Sequence, residues 1–347
     1  MKKIMLTTAL VGSLVSAASA QTTVSGNLAI GYYATSKDNS NAQAAAVKSY
    51  NGFGNESQIN FASKGKLNNG MDYAAGFSWE SDGAETLANL NGSLKGTTEG
   101  TYIEIISGST TIGLSADRAG TIDGLGVNFA GFGYRPISGA TTEASIVQTS
   151  YLTPGADFGF NVRQNVGVGE ISAVYVPNTG LKSSADIGND ASKSTLDGGE
   201  SAYEITYTGK LGPIDAKIGG SRTNGIAGNH DAKAEGIQLA YTMGASKVGV
   251  SRGRAKPTSA SSAAQVKNTT TEFGIAHNIS NNLSAGLTYT KGETTTAGRG
   301  DEKIITAAVG YNLGAVSVQA QYKDASDIGG VSAADAQQFG LYVATKF

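Results

Sequence analysis

From about residue 22 to the C-terminus, apolar and polar residues alternate with period two in a long series of short segments. In the first, Val24, Gly26, Leu28, Ile30 and Tyr32 share one face, and Ser25, Asn27, Ala29 and Gly31 share the other. The pattern returns at Ile59 and Phe61, at Tyr73, Ala75, Phe77 and Trp79, at Ile112 and Leu114, and at Phe158, Phe160 and Val162. It continues through Tyr203, Ile205 and Tyr207, Ile237 to Met243, Val248 and Val250, Phe273 and Ile275, Leu283 to Tyr289, Ile305 to Leu313, and Val316 to Tyr322. The last segment places Phe339, Leu341, Val343, Thr345 and Phe347 on one face, so the chain stops on an aromatic with no polar tail. Period two is the signature of a β-strand with one face in an apolar environment and one in a polar one.

The connections alternate as regularly as the strands. Short ones, "LNNG" (67–70), "SGST" (107–110), "LGPI" (211–214), "MGAS" (243–246), "SNN" (280–282) and "LGAV" (313–316), carry Gly or Asn where a tight turn needs positive φ. Between them lie longer polar stretches, 34–55, 178–200, 255–270 and 323–336, read as loops too polar to bury. Short turns at one end and long loops at the other predict an all-β, antiparallel transmembrane β-barrel. A soluble sandwich should fill its apolar face with larger residues, and a solenoid should show a repeat, which is absent here. Residues 145–165 offer two candidate strands, which would make seventeen. An even number returns both termini to one side, so "SIVQTSYL" goes to the preceding loop, leaving sixteen strands and a longest loop from Arg118 to Asp157.

The N-terminus sets the compartment. Lys2 and Lys3 precede the apolar run "IMLTTALVGSLV" and the small-residue site Ala18-Ser19-Ala20, which reads as a signal peptide over 1–20 cleaved before Gln21, with the barrel domain over 21–347. No other stretch approaches the about 20 apolar residues of a membrane-spanning helix. Without Lys2 and Lys3 the 26 basic residues become 24 against 28 acidic ones, a formal charge of −4 that gives no reason to expect nucleic-acid binding. The absence of Cys excludes disulfide scaffolds, thiolate metal sites and a Cys nucleophile. Of the two histidines, His230 lies in "GNHDA" and His277 has apolar-face parity. Neither has metal-ligand spacing, and His277 shows no Ser partner of the kind a barrel hydrolase needs on an adjacent strand at the rim. No catalytic residue, cofactor or metal is expected.

Sixteen strands close a barrel too wide for its own side chains to fill. The polar faces suit a wet interior: Asn60 and Lys64, Asn161 and Arg163, Glu204 and Thr206, Asp215 and Lys217, Thr288 and Thr290, and Gln319, Gln321 and Lys323. The signal peptide, "NESQINFASKGKLNNGMDYAAGFSWE", the pair "STTIGLSADRAG" and "GFNVRQNVGVGEISAVYVPNTG", and the closing aromatic strand together resemble the general porins of Gram-negative outer membranes, particularly the beta-proteobacterial branch. The resemblance covers essentially the whole chain. It implies a homotrimer in outer-membrane lipid, a third loop folded into the lumen, and passive diffusion of small hydrophilic solutes and ions. It also implies that Phe347 is an assembly signal read by the barrel-insertion machinery.

The family's constriction sets loop acids against a basic wall. Here the loop supplies Asp123, Glu143 and Asp157 as acids and Arg118 and Arg135 as bases, and the wall supplies Lys64, Arg163 and Lys217. Arg163, in "NVRQ", matches the family's strand after the loop and is the leading candidate; Lys66, Lys210 and Lys346 read as solvated charges near the turns. The loop lacks the family's compact acidic motif. Three acids facing three wall bases suggest weak selectivity with a slight cation preference. Two alternatives stay open: a substrate-specific channel, which should show an aromatic ladder where only scattered Tyr such as Tyr342 occur, and a barrel whose surface loops act in adhesion or phage recognition.

Overall fold

The computed structural model describes residues 21–39, 50–82, 97–115, 159–177, 201–223, 232–256 and 266–347. The chain forms sixteen strands: β1 (Gln21–Asn39), β2 (Tyr50–Lys66), β3 (Asp72–Asp82), β4 (Thr97–Ser107), β5 (Thr110–Ser115), β6 (Gly159–Val166), β7 (Gly169–Val176), β8 (Ala202–Leu211), β9 (Ile214–Thr223), β10 (Ala232–Met243), β11 (Ser246–Lys256), β12 (Asn268–Asn278), β13 (Leu283–Thr294), β14 (Glu302–Asn312), β15 (Val316–Ser326) and β16 (Ala334–Lys346). Each pairs antiparallel with its sequence neighbours, and β16 pairs with β1, so the sheet is a closed barrel. Closure leaves no sheet edge with unpaired backbone groups, the condition a hydrocarbon solvent imposes.

Parity is inverted relative to a water-soluble protein. Ile30, Phe77, Ile103, Phe160, Ile205, Phe273 and Leu341 all point outward and are exposed. Glu104, Asn161, Glu204, Thr206, Thr288 and Gln319 point inward and are buried. The seven tight connections all lie at one end of the barrel, and six of them hold a Gly in the left-handed region, as at Gly108 (φ 57°) and Gly314 (φ 88°). The seventh, between β12 and β13, uses Ser280 instead, whose Oγ accepts the amides of Asn282 (3.3 Å) and Leu283 (3.1 Å).

The predicted strand count and alternation stand. Two expectations change. The stretch 323–336 is not a wholly exposed loop: β15 runs to Ser326, β16 begins at Ala334, and the turn between them buries Ile328 against Ala325, Ala334 and Ala336, with Ile304 and Val331 packed alongside. One large apolar residue over three inward-facing alanines is enough to dock the segment, and the Gly300 amide fixes it by donating to the Gly330 carbonyl at 2.7 Å. Likewise 255–270 begins and ends in strand, with Asn268, Thr269 and Thr270 buried. The expected signal peptide and the loop from Arg118 to Asp157 lie outside the described residues.

The seam between first and last strands is closed by the terminal residue itself. The Phe347 amide donates to the Gly26 carbonyl (3.0 Å), and the Gly26 amide donates to the Phe347 carbonyl (2.8 Å). The ring lies over Gly26, where a Cβ would sit 2.5 Å from the ring edge and 2.5 Å from the Gln58 carbonyl oxygen. Gly26→Val therefore forces the seam apart, with an expected loss of about 1–3 kcal/mol for an overpacked site. Urea unfolding of the refolded barrel in detergent checks this; an unchanged midpoint would show that the ring simply swings away.

Candidate pore lining and constriction

The inner wall is built by the register. Hydrogen-bonded rows running around the barrel bring inward residues of successive strands side by side, and one row reads Lys64, Ala74, Glu104, Gly113, Asn161, Val174, Glu204 and Ser221 on β2 to β9. Within it, Glu104 crosses β5 to pair with Arg163 on β6, Arg163 Nη2 lying 2.8 Å from Glu104 Oε1. Gly113 makes the crossing possible: a Cβ there would stand 2.8 Å from Glu104 Cγ and 3.1 Å from Asn161 Nδ2. Asn161 is held in turn by donating to Ser115 Oγ at 2.6 Å. Glu104 is 1% exposed and Arg163 22%, so the guanidinium is the part of the pair that meets the lumen.

A bulge sets the aim of β4. Opposite Phe77 the register slips between Gly76 and Ser78, and Gly100 takes φ 56° there. An extra residue bends the strand and re-aims the side chains beyond it, and here that places Tyr102 over Gly76 and Glu104 beside the Arg163 guanidinium.

Of the three predicted wall bases, the structure brings Lys64 and Arg163 to either side of Glu104. Lys64 and Glu104 share a row across Ala74, about 10 Å apart at two inter-strand spacings. Lys217 faces inward three strands beyond Arg163, level with Thr208 and Gln238, and belongs to a different part of the wall. Arg118, Asp123, Arg135, Glu143 and Asp157 lie outside the described residues, as does His230.

The charges near the tight turns pair among themselves. Lys66 meets Asp72 at 2.8 Å and Lys210 meets Asp215 at 2.7 Å, both exposed and of the kind that contributes little to stability. Elsewhere on the inner wall Glu272 accepts from Ser251 (2.9 Å) and Thr290 (3.3 Å), and Gln338 donates to Thr35 (3.3 Å). The lining is thus amide, hydroxyl and charge, with Tyr33 and Tyr342 in edge contact (5.1 Å) among glycines.

Sequence reasoning missed Glu104. Its strand, "TTEGTYIEIIS", breaks strict alternation at Gly100 and at Ile106, and the available signal was the single acid between the outward Ile103 and Ile105. It also found no partner for His277, whereas Ser246 on the adjacent strand lies with Oγ 2.8 Å from Nδ1. That pair faces outward beside a turn, and among the described residues no carboxylate orients the ring, so the third element of a nucleophilic site is missing. Among the described residues no cluster of His, Asp and Glu has metal-binding geometry.

A sixteen-stranded barrel with an apolar exterior and a charged, hydroxylated interior is a membrane channel. The sequence matches the Gram-negative porin family over residues 6–344, and the chain belongs to that family. It is an outer-membrane porin. No curated protein sequence matches it significantly. Among solved structures, the anion-selective porin from Comamonas acidovorans aligns with a TM-score of 0.68 at 14% identity, over 94% of this chain and 100% of that one. A mutant of the Rh. blastica porin gives 0.61 at 13% identity over 94% and 100%. The in-vitro folded trimer form of OmpT from Vibrio cholerae gives 0.60 at 13% over 94% and 99%. These likenesses carry the fold.

The Arg163–Glu104 pair generates a selectivity test. Glu104→Gln leaves the guanidinium uncompensated and should shift the permeability ratio toward anions, and Arg163→Gln should shift it toward cations. Each shift should be roughly threefold, the effect of one charge about 6 Å from the ion path in a water-like dielectric. The double variant should return near wild type. Reversal potentials under a salt gradient read all three, and two single variants moving in the same direction would show that the pair does not face the ion path.

Proposed function

We propose that this porin passes small hydrophilic solutes and ions by passive diffusion, as a homotrimer, through a constriction formed by the 118–157 loop against the wall around Arg163. The observation that carries this reading is the inverted barrel, whose inner wall bears a charge pair exposing its guanidinium to the lumen. In this reading Asp123, Glu143 and Asp157, with Arg118 and Arg135, face Lys64 and Arg163 across the narrowest section, and Lys217 lines the wall farther round the barrel. The buried inward acids Glu104, Glu204, Glu272 and Glu302 support a weak cation preference, opposite in sign to the selectivity of the Comamonas porin. The trimer form of the Vibrio protein supports the same assembly here. Phe347, bonded through both backbone groups at the seam, is the assembly signal, and export proceeds through a signal peptide cleaved before Gln21. The chain works as a channel, as the porin family match supports, and among the described residues no carboxylate orients the Ser246 and His277 pair.

Planar-bilayer recording of the refolded protein tests this. Stepwise openings in groups of three, with a small reversal potential on the cation side, are expected. Silence from a barrel that still shows heat-modifiable gel mobility would remove the channel role, and single steps would remove the trimer.

A further inference from the structure

One cavity inside the barrel takes no part in the constriction. It has a volume of about 770 Å³ and lies at the tight-turn end, over β12 to β16 and the neighbouring parts of β1 and β2, half-way round the wall from Arg163. Carboxamides and hydroxyls supply its polar groups, and Lys346 is the one charge among its described lining residues. The wall of β8 to β11 near the same end is different in kind, since Lys210 and Lys247 there gather around Asp215.

The register shapes this part of the wall into a groove. One inward row reads Tyr342, Gln319, Gly310, Ser284 and Asn278, from β16 back to β12. The next inward row, one step farther from the turns, reads Gly340, Gln321, Ala308, Gly286 and Ala276. Hydrogen-bonding side chains therefore stand beside a shelf of small residues, and Gly310 leaves a notch between Gln319 and Ser284. Gln321 is the exception on the shelf: it is buried, and its Oε1 has no hydrogen-bond partner. At the end of the row the Tyr342 ring lies over two glycines, where a Cβ would stand 2.8 Å from it at Gly340 and 3.1 Å at Gly31. A ring laid along the wall in this way offers a face to the cavity that Tyr342 lines.

The chemistry of the lining selects the class of ligand. The negative face of an aromatic ring attracts the polarised C–H groups of a sugar ring. A carboxamide donates and accepts within one planar group, which matches a pair of neighbouring sugar hydroxyls. A charged solute would find one lysine here and no acid. The volume falls within the range of about 300–1,000 Å³ usual for small-molecule sites. We propose that this cavity binds a short neutral oligosaccharide, one sugar ring lying on Tyr342 and the next along Gln319, Ser284 and Asn278. The proposal rests on the channel reading and adds to passive diffusion a saturable step at the tight-turn mouth.

Maltotriose titrated against single-channel current in a planar bilayer tests it. Wild-type openings should show reversible interruptions whose frequency saturates with sugar, whereas polyethylene glycol of the same hydrodynamic size should only lower the current in proportion to its concentration. Tyr342→Ala should raise the half-blocking concentration about fivefold, the loss of one aromatic contact, and Tyr342→Phe, which keeps the ring, should leave it nearly unchanged. Gln319→Leu, close in volume and without the amide, should weaken the block in the same direction and serves if Tyr342→Ala fails to refold. Open-channel current without sugar should be the same in all of them. Wild-type openings that maltotriose leaves untouched overturn the proposal, as do equal interruptions by polyethylene glycol or a Tyr342→Ala titration that matches wild type. A correctly folded wild type that never opens removes the channel reading instead; isothermal titration of maltotriose into the protein in zwitterionic micelles then reads the site alone, and no heat of binding overturns it.

Discussion

The structure depends on one constraint: in hydrocarbon, every backbone N–H and C=O must find a partner within the protein. A sheet meets it only by closing, and closure requires the first and last strands to run antiparallel and in register. Here they pair from Asn27 opposite Lys346 to Asn39 opposite Ala334, and the ladder runs on to the final residue, whose amide and carbonyl both bond Gly26. The aromatic end noticed in the sequence is therefore the last member of an apolar face, and Gly26 is small because that ring lies on it.

Closure at sixteen strands also decides what the inner residues must do. Side chains cannot meet across a barrel of this width, so they meet along the wall. Glu104, Gly113 and Arg163 illustrate the rule: an acid reaches a base two strands away because the intervening position has no side chain. The abundance of glycine, puzzling for a sheet protein, is partly explained by such crossings and by the outward counterpart, in which Tyr207 lies over Gly169 and Gly209. Glycine weakens a strand taken alone; in these places a neighbouring side chain covers the gap it leaves.

Strand number, facing and turn positions were legible because they are local. Period-two alternation needs only a few residues, and a Gly between two alternating runs marks its own turn. Arg163 could be assigned to the lumen by parity alone. Its partner could not, since Glu104 lies 59 positions earlier, behind a bulge that spoils the count. The misreading of 323–336 has the same origin: polarity averaged over a window conceals Ile328, whose burial depends on alanines brought together from β15 and β16. The contact between Ser246 and His277 is equally a product of register. Parity finds the face a residue occupies, and only pairing finds its neighbours.

Formal charge shows how much that distinction matters. The whole chain carries −2, a value that says nothing about either surface. Divided by facing, the charges separate into two regimes. Inward cations stand among acids of the same wall, as Arg163 does beside Glu104 and Lys247 beside Asp215 at 3.6 Å. Outward cations concentrate on one sector, where Arg222, Lys233 and Lys256 stand side by side along one row. Water and mobile ions can screen the first set. The second borders a medium that screens poorly, and counter-charge is supplied there by the sheet and its loops, as Glu235 does for Arg254 and Glu293 and Asp301 do for Lys291 at 2.9 Å.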